Sequence, residues 1–397
     1  MKWPQVKLKD VFTIARGGSP RPIASFITNE PDGLNWISIK DASNSDKYIY
    51  KTKLKIKKEG LIKSRFVKPG DFLLTNSMSF GRPYIMKTSG CIHDGWLVLS
   101  SDSKKVDQDY FYFLLGSPTL HNKFKSLAAG AVVKNLNIDL VKGVKVPLPT
   151  LPDQKKIAAI LDAADAYRQK TKALIAKYDE LTQSLFLDMF GDPVINPMGL
   201  KKTKLGELLE ITSSKRIFKN EYVDFGIPFF RTKEIVELSK GNKISLELFI
   251  SEQRFNEIKS KFDLPKVGDI LLSAVGTIGV MWVVNTKEPF YFKDGNLVWL
   301  KTSLVKNLNS TYLKMTLEYL IEYEKYKLAE GGAYNALTIA KLKNFTVLMA
   351  PYHIQNQFAE RVQVIEEQKS QAQASLEKSE DLFNCLLQKA FKGELTT

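Results

Sequence analysis

Apolar positions along this chain follow two rhythms, and both appear twice. In one, Ile157, Ile160, Ala164, Tyr167, Thr171, Leu174, Tyr178, Leu181 and Leu185 alternate steps of three and four. Phe358, Val362, Ile365, Lys369, Ala372, Leu376, Ser379, Phe383 and Leu386 repeat that spacing. Such a pattern is a heptad seam and predicts two long helices. The first helix follows Pro152, a residue suited to the first helical turn, and stops at Gly191-Asp192-Pro193. The second starts after Pro351 and ends before Gly393. At 1.5 Å per residue, each makes a rod of roughly 57 Å. An isolated rod would expose its seam, so each helix needs a partner, and an antiparallel pair within the chain is the simplest closure. The other rhythm is short alternation between Gly, Asn and Pro turns ahead of each helix, which predicts strand-rich α+β globules.

The two halves also match as sequences. Lys7 to Ile14 corresponds to Lys204 to Ile211, Lys68 to Thr75 to Lys266 to Ser273, and Asp94 to Val98 to Asp294 to Val298. The helices share Gln154/Gln355, Ala158/Ala359, Ala173/Ala374, Leu181/Leu382, Leu185/Leu386 and Phe190/Phe391 at an offset of 201. A unit this long is a duplicated domain rather than a solenoid repeat.

Charge adds a direction to this picture. The 397 residues carry a formal net charge of +15. Between Lys47 and Lys68 the chain places nine basic residues against the single acid Glu59. Lys51, Lys53, Lys55 and Lys57 alternate with largely apolar residues, so a strand there would present four lysines on one face, with Leu54 and Ile56 on the other. Such a row suits a phosphate backbone, although a charged edge strand protected against aggregation has the same pattern.

Other chemistries find little support. His93, His121 and His353 are scattered, and Cys91 and Cys385 form neither a CxxC pair nor a disulfide framework, which points to a cytoplasmic protein. There is no GxxxxGK[ST], no GxGxxG after a strand and no GxSxG elbow. Asp71 with Asp102-Ser103-Lys104, Glu257-Ile258-Lys259 and Glu367-Gln368-Lys369 only loosely imitate a nuclease acid–lysine set. The longest charge-free apolar stretch, Ile270 to Val284, contains Gly276 and Gly279 and reads as buried strands joined by a turn, not a membrane span.

Several segments resemble the specificity subunits of type I restriction–modification systems. Leu148 to Ala158 (LPTLPDQKKIA) is similar to the proline-rich lead into their central helix, and Ala390 to Leu395 to the end of their distal helix. Ile227 to Ile235 and Gly268 to Gly279 resemble segments of their target-recognition domains. The fold implied is α+β: two tandem α/β target-recognition domains (1–150 and 198–350) separated by two long antiparallel coiled-coil helices (151–197 and 351–397) in a pseudo-twofold repeat. The resemblance also implies a non-catalytic subunit reading an asymmetric bipartite site in double-stranded DNA. Two methyltransferase subunits would flank it, joined by a motor-nuclease subunit where the system has one. S-adenosylmethionine, and ATP with Mg2+, would then be bound by those partners and not by this chain. The helices, with Asn135-Leu136-Asn137-Ile138 and Ala336-Leu337-Thr338-Ile339, would form the partner surface. The first repeat departs from the pattern at Met78-Ser79-Phe80-Gly81, opposite Gly276 to Gly279, and at Trp36 to Lys40, opposite Phe229 to Lys233. Those differences imply two different readers.

On this reading phosphates fall to Lys51, Lys53, Lys55, Lys57 and Arg65, because a lysine is a point charge without base information. Base edges fall to Arg16, Arg21, Asn76, Arg82, His93, Arg231, Lys233, Asn296 and Asn335, whose side chains carry suitable donors or acceptors. Lys40 and Thr277 join the DNA-facing set, and Trp96 or Tyr334 would pack beside a base. Two other functions compete with this one. A stand-alone regulator dimerising through its coiled coil would bind DNA without partners, and an enzyme with an unrecognised site would depend on Asp71 or Asp102.

Overall fold

The computed structural model describes residues 3–43, 45–76, 81–101, 104–129, 136, 138–329 and 336–395. The chain forms two compact units, one of residues 1–171 with 375–397 and one of residues 172–374. Each unit therefore holds a globule and part of both long helices, Leu151–Phe190 and Tyr352–Lys392. Among the described residues no helix is long and apolar enough to cross a membrane.

In the first unit, a five-stranded sheet has the order Thr13–Arg16, Trp96–Ser100, Phe72–Thr75, Pro83–Met86, Tyr48–Ile49. Its strands are apolar on both faces because both faces are covered. Phe72, Leu74, Ile85, Leu97 and Leu99 join a core with the helix Gln108–Leu115 and with Ile157, Leu161, Phe383 and Leu387 of the long helices. Leu73, Tyr84, Met86, Trp96 and Val98 point the other way, into a core shared with Ile37, Ile92 and Val67 of a second five-stranded sheet.

The second unit repeats this plan with two four-stranded sheets. The first has the order Ile211–Thr212, Leu297–Leu300, Ile270–Ser273, Met281–Val283. The stretch from Ile270 to Val284 is thus two strands and a turn, with Gly276 and Gly279 at φ of 77° and 91°. Asp71 and Asp269 do the same work in the two units. Each is buried, follows a glycine with φ near 95° (Gly70 at 96°, Gly268 at 94°), and accepts the N–H three residues back. Those bonds come from Lys68 at 2.8 Å and Lys266 at 2.9 Å. Asp71 is therefore a turn-capping residue; Asp102 lies outside the described residues.

The long helices run antiparallel within each unit. In the second, Asp179 meets Lys369 while Phe186, further along, meets Phe358. In the first, Tyr167 Oη lies 2.9 Å from Ser375 Oγ, and Ile157 and Ala158 share a core with Leu387 and Ala390. The seam of the second helix falls on the expected residues: Phe358, Ala372, Ser379 and Phe383 are buried, and Val362, Ile365, Lys369, Leu376 and Leu386 are half-buried.

The first helix requires a correction. Ile157, Ala164, Thr171, Tyr178 and Leu185 do turn inward, but Ile160, Tyr167, Leu174 and Leu181 are 37%, 54%, 44% and 50% exposed. Leu161, Arg168, Ile175 and Thr182 take their places on the inner face. A heptad pattern read from apolarity alone admits two phases one residue apart at every other position. Arg168 and Thr182 disguised the true phase. Arg168 belongs there because its guanidinium stacks over the Phe383 ring at 4.0 Å and pairs with Asp165 at 2.6 Å.

Candidate nucleic-acid interface

In the first unit the loop end of the sheets gathers polar side chains around one turn, His93-Asp94-Gly95. Arg16 Nε donates to the carbonyl oxygen of Asp94 at 2.9 Å, and Asn76 Nδ2 donates to the same oxygen at 3.4 Å. The carboxylate of Asp94 accepts the Ser19 hydroxyl at 3.0 Å and faces the Arg21 guanidinium at 3.5 Å. Arg65 Nε donates to the carbonyl of Arg16 at 3.4 Å. Burial pushes the Asp94 carboxyl up, but the Ser19 hydroxyl, His93 and Arg21 outweigh it and hold it below its ordinary value. Five residues far apart in sequence (Arg16, Arg21, Arg65, Asn76 and His93) thus meet at one place. Arg16, Arg21 and Arg65 are exposed and keep free donors, whereas Asn76 is fully buried.

His93 is oriented by its own turn. Its Nδ1 accepts the N–H of Gly95 at 2.9 Å, which leaves the proton of the neutral ring on Nε2. Burial lowers its pKa, with Asp94 opposing. The ring lies near Trp36 and Trp96, at centroid distances of 6.0 and 6.1 Å.

The expected lysine strand is much shorter than its pattern. Only Leu54–Ile56 is a strand, with Ile56 buried and Leu54 39% exposed. Lys51 and Lys53 precede it, Lys57 follows it, and all three are exposed. Lys55 is half-buried with Nζ donating to the Pro31 carbonyl at 3.0 Å. The strand ends early because Lys57 opens a 3-10 helix, Lys58–Lys63. Lys47, at the start of the basic run, is not available to a ligand. Its ammonium lies 2.8 Å from both Asp109 and Asp162, and these partners hold its pKa up against the effect of burial.

Other candidates scatter. Trp96 is corrected outright: it is fully buried, and its Nε1 donates to the Ile37 carbonyl at 3.2 Å, so it is a core residue. Lys40 is exposed on the short helix Ile39–Ser43. Arg82 is exposed, its guanidinium 5.1 Å from the Tyr84 ring centre. Arg231 is committed to carboxylates: Nη2 reaches both Glu234 and Glu247 at 2.7 Å, and Lys233 also pairs with Glu247. Lys233 and Arg231 pull the Glu247 carboxyl down to about 2. Thr277 is exposed in the turn after Ser273, and Asn296 is half-buried, its carbonyl accepting the N–H of Ala274 at 2.8 Å. Tyr334, Asn335, Asn135, Asn137 and Met78 to Phe80 lie outside the described residues.

One residue was missed. Arg216 Nε donates to Asp294, the repeat counterpart of Asp94, at 2.8 Å, and its side chain is 67% exposed. The Asp94/Asp294 match was the signal: an arginine held by the first of these turns calls for one at the second. Among the described residues no cluster of three or more His, Cys, Asp or Glu could hold a metal ion.

The type I restriction modification DNA specificity domain matches this chain twice, over residues 1–179 and 197–378. The type I restriction enzyme MjaIX specificity subunit of Methanocaldococcus jannaschii is 25% identical over 99% of this chain and 93% of its own length. The EcoBI specificity subunit of Escherichia coli is 21% identical over 99% and 86%. The crystal structure of the type I restriction–modification S subunit from M. genitalium superposes with a TM-score of 0.57 at 15% identity, covering 98% of this chain and 96% of that one. A chain from a study of the assembly and conformational transition of the type I system gives 0.60 at 18% identity, covering 99% and 98%. With both of its repeats matched, this chain belongs to the type I restriction–modification DNA specificity family.

Proposed function

We propose that this chain is the DNA-reading, non-catalytic subunit of a type I restriction–modification complex, and that it reads a bipartite site in double-stranded DNA with one repeat on each part. The observation that carries this is the pair of turns at Asp94 and Asp294. Each holds an exposed arginine at the loop end of its sheet, and the residues around the two turns differ. An arginine that donates one N–H to a carboxylate is oriented while its remaining donors stay free, which is what bidentate reading of guanine needs. Exposed Lys51, Lys53 and Lys57 would set the register on phosphates, and the net charge of +15 favours the encounter. Because the polar residues around Asp94 have counterparts of different type around Asp294, the two half-sites would differ in sequence.

Two methyltransferase subunits, and a motor-nuclease subunit where one exists, complete this reading in the cytoplasm. S-adenosylmethionine, and ATP with Mg2+, belong on those partners. In the second unit, exposed Leu174 and Leu181 lie two turns apart on one face of the first long helix, which supports a partner surface there. The test is co-expression with the neighbouring methyltransferase followed by mapping of methylated bases with and without this chain. The expected outcome is a stable complex and one bipartite motif that disappears on deletion. Elution of the chain alone, with tight site-specific DNA binding, would instead favour the self-sufficient regulator.

A further inference from the structure

The two repeats differ at one sheet edge. In the first unit, strand Pro83–Met86 is covered by Tyr48–Ile49 running parallel to it. Ile85 donates its N–H to the Lys47 carbonyl and Lys87 donates to that of Ile49, both at 2.9 Å. Side chains hold the same segment. Tyr112 Oη donates to the Asp46 carbonyl at 3.3 Å, and Lys47 pairs with Asp109 and Asp162.

In the second unit the corresponding strand, Met281–Val283, is the last of its sheet. The register is conserved between repeats, with Val283 opposite Ile270 as Ile85 is opposite Phe72. Val284 donates its N–H to the Asp269 carbonyl, and Val280 accepts the N–H of Ser273, both at 2.8 Å, so these residues bond inward. Alternation then turns the backbone groups of Met281, Val283 and Asn285 toward the open side. Among the described residues no strand pairs there. Val283 is half-buried, where its counterpart Ile85 is fully buried.

A cleft of about 1090 Å³ runs along this edge. Its far wall includes Thr311, Lys314 and Gln363, the repeat counterparts of Asp109, Tyr112 and Asp162, which grip the covering segment in the first unit. The cleft is therefore the same slot without its strand. The helix Thr232–Ser239, longer than its counterpart Ile39–Ser43, packs against Met281–Val283, and its end at Leu238 to Gly241 forms one wall of the cleft; the residues after it reach Phe249–Ile250 without forming a strand at this edge. Four carboxylates line the slot (Asp179, Glu318, Glu360 and Glu366) against three lysines (Lys240, Lys314 and Lys369). Lys369 pairs with Asp179 and Glu366, and Lys314 with Glu318, so the excess is the single carboxylate Glu360. Burial holds the Glu318 carboxyl above its ordinary value, with Lys314 opposing.

We propose that this edge is a docking slot for an extended segment of a partner protein, which adds as a fifth strand beside Met281–Val283 and carries a lysine or arginine toward the acidic wall. The chain's own Asp46–Ile49 in the sister slot is the template for that occupant, and the excess of carboxylates selects its charge. Strand addition draws its affinity from main-chain hydrogen bonds and its selectivity from side-chain pockets. The proposal does not depend on DNA reading.

The test uses the full chain and a labelled peptide with the sequence of residues 46–51, Asp-Lys-Tyr-Ile-Tyr-Lys. In the free chain the amides of Val283 and Asn285 should exchange with deuterium faster than those of Ile85 and Lys87, and the peptide should slow them. Val283→Pro removes an edge donor at a position where a strand tolerates proline, and it should weaken peptide binding by about two- to tenfold. Glu366→Lys, which leaves the backbone edge intact, should weaken it too. Full protection of Val283 in the free chain, no peptide binding, or binding by both variants as tight as by the parent overturns the proposal. Concentration-dependent self-association abolished by Val283→Pro also overturns it, by giving the slot to a second copy of this chain.

Discussion

Gln154, with no solvent exposure, accepts the backbone N–H of Asp107 through Oε1 at 2.9 Å. Its Nε2 donates to the carbonyls of Lys105 at 2.8 Å and Pro149 at 3.0 Å. Gln355 repeats this in the second unit, accepting from Asn309 at 2.8 Å and donating to Ala350 at 2.8 Å. One buried amide thus ties the first turn of each long helix to the start of a globular helix. Gln154→Ala leaves three backbone groups without partners, and the expected cost is about 2–3 kcal/mol in urea denaturation. A loss within about 0.5 kcal/mol, the range of ordinary surface changes, would show that water replaces the amide.

The helix seam makes a second prediction. Leu161 is fully buried, whereas its neighbour Ile160 and also Leu174 are exposed. Leu161→Ala should cost about 2–5 kcal/mol, and Leu174→Ala should stay within about 0.5 kcal/mol. Denaturation of the two variants beside the parent checks both. Comparable losses would restore the phase in which Leu174 packs inside.

How much of this was legible in the sequence depends on what wrote the pattern. The duplication, both long helices and the seam of the second helix were written in spacing, because a heptad and a repeat are properties of order alone. The seam of the first helix was legible too, but only through the repeat. Moving Val362, Lys369, Leu376 and Phe383 back by 201 lands on Leu161, Arg168, Ile175 and Thr182, the residues found inside. Apolarity ranked Ile160 and Leu181 above them, since nothing local shows that Arg168 will lie on Phe383. Trp96 failed for a related reason: whether an indole packs inside or out depends on a second sheet that composition cannot place. The gathering of Arg16, Arg21, Asn76 and His93 on one turn is a tertiary fact, made by strands far apart in sequence.

His93 gives the pH prediction. Burial lowers its pKa in the folded chain below the ordinary 6.5. As pH falls through about 6.5 the unfolded chain takes up a proton that the folded chain resists. Stability from this group is therefore present above that pH, and it is lost as pH falls through the folded value. His93→Asn keeps an acceptor for the N–H of Gly95 and does not titrate. Comparing urea midpoints of the two proteins at pH 5.5 and 7.5 isolates the term, and the variant should show the smaller drop. An equal drop would place the acid sensitivity in carboxylates.

Binding to DNA separates the roles proposed for lysine and arginine. Lys51→Ala removes an exposed charge without a base to read, so affinity should fall alike for cognate and non-cognate DNA, and the salt slope should shrink by about 1. Arg21→Ala and Arg216→Ala should instead each cost about 1–3 kcal/mol on cognate DNA and little on other sequences. The two losses should map to different halves of the site, because Arg21 faces Asp94 and Arg216 faces Asp294. Titration of half-site variants with the assembled complex reads this directly. If Arg216→Ala relaxes the half that Arg21→Ala relaxes, or if both act only through the salt slope, the two turns hold phosphate contacts and the reading of bases lies elsewhere in the loops.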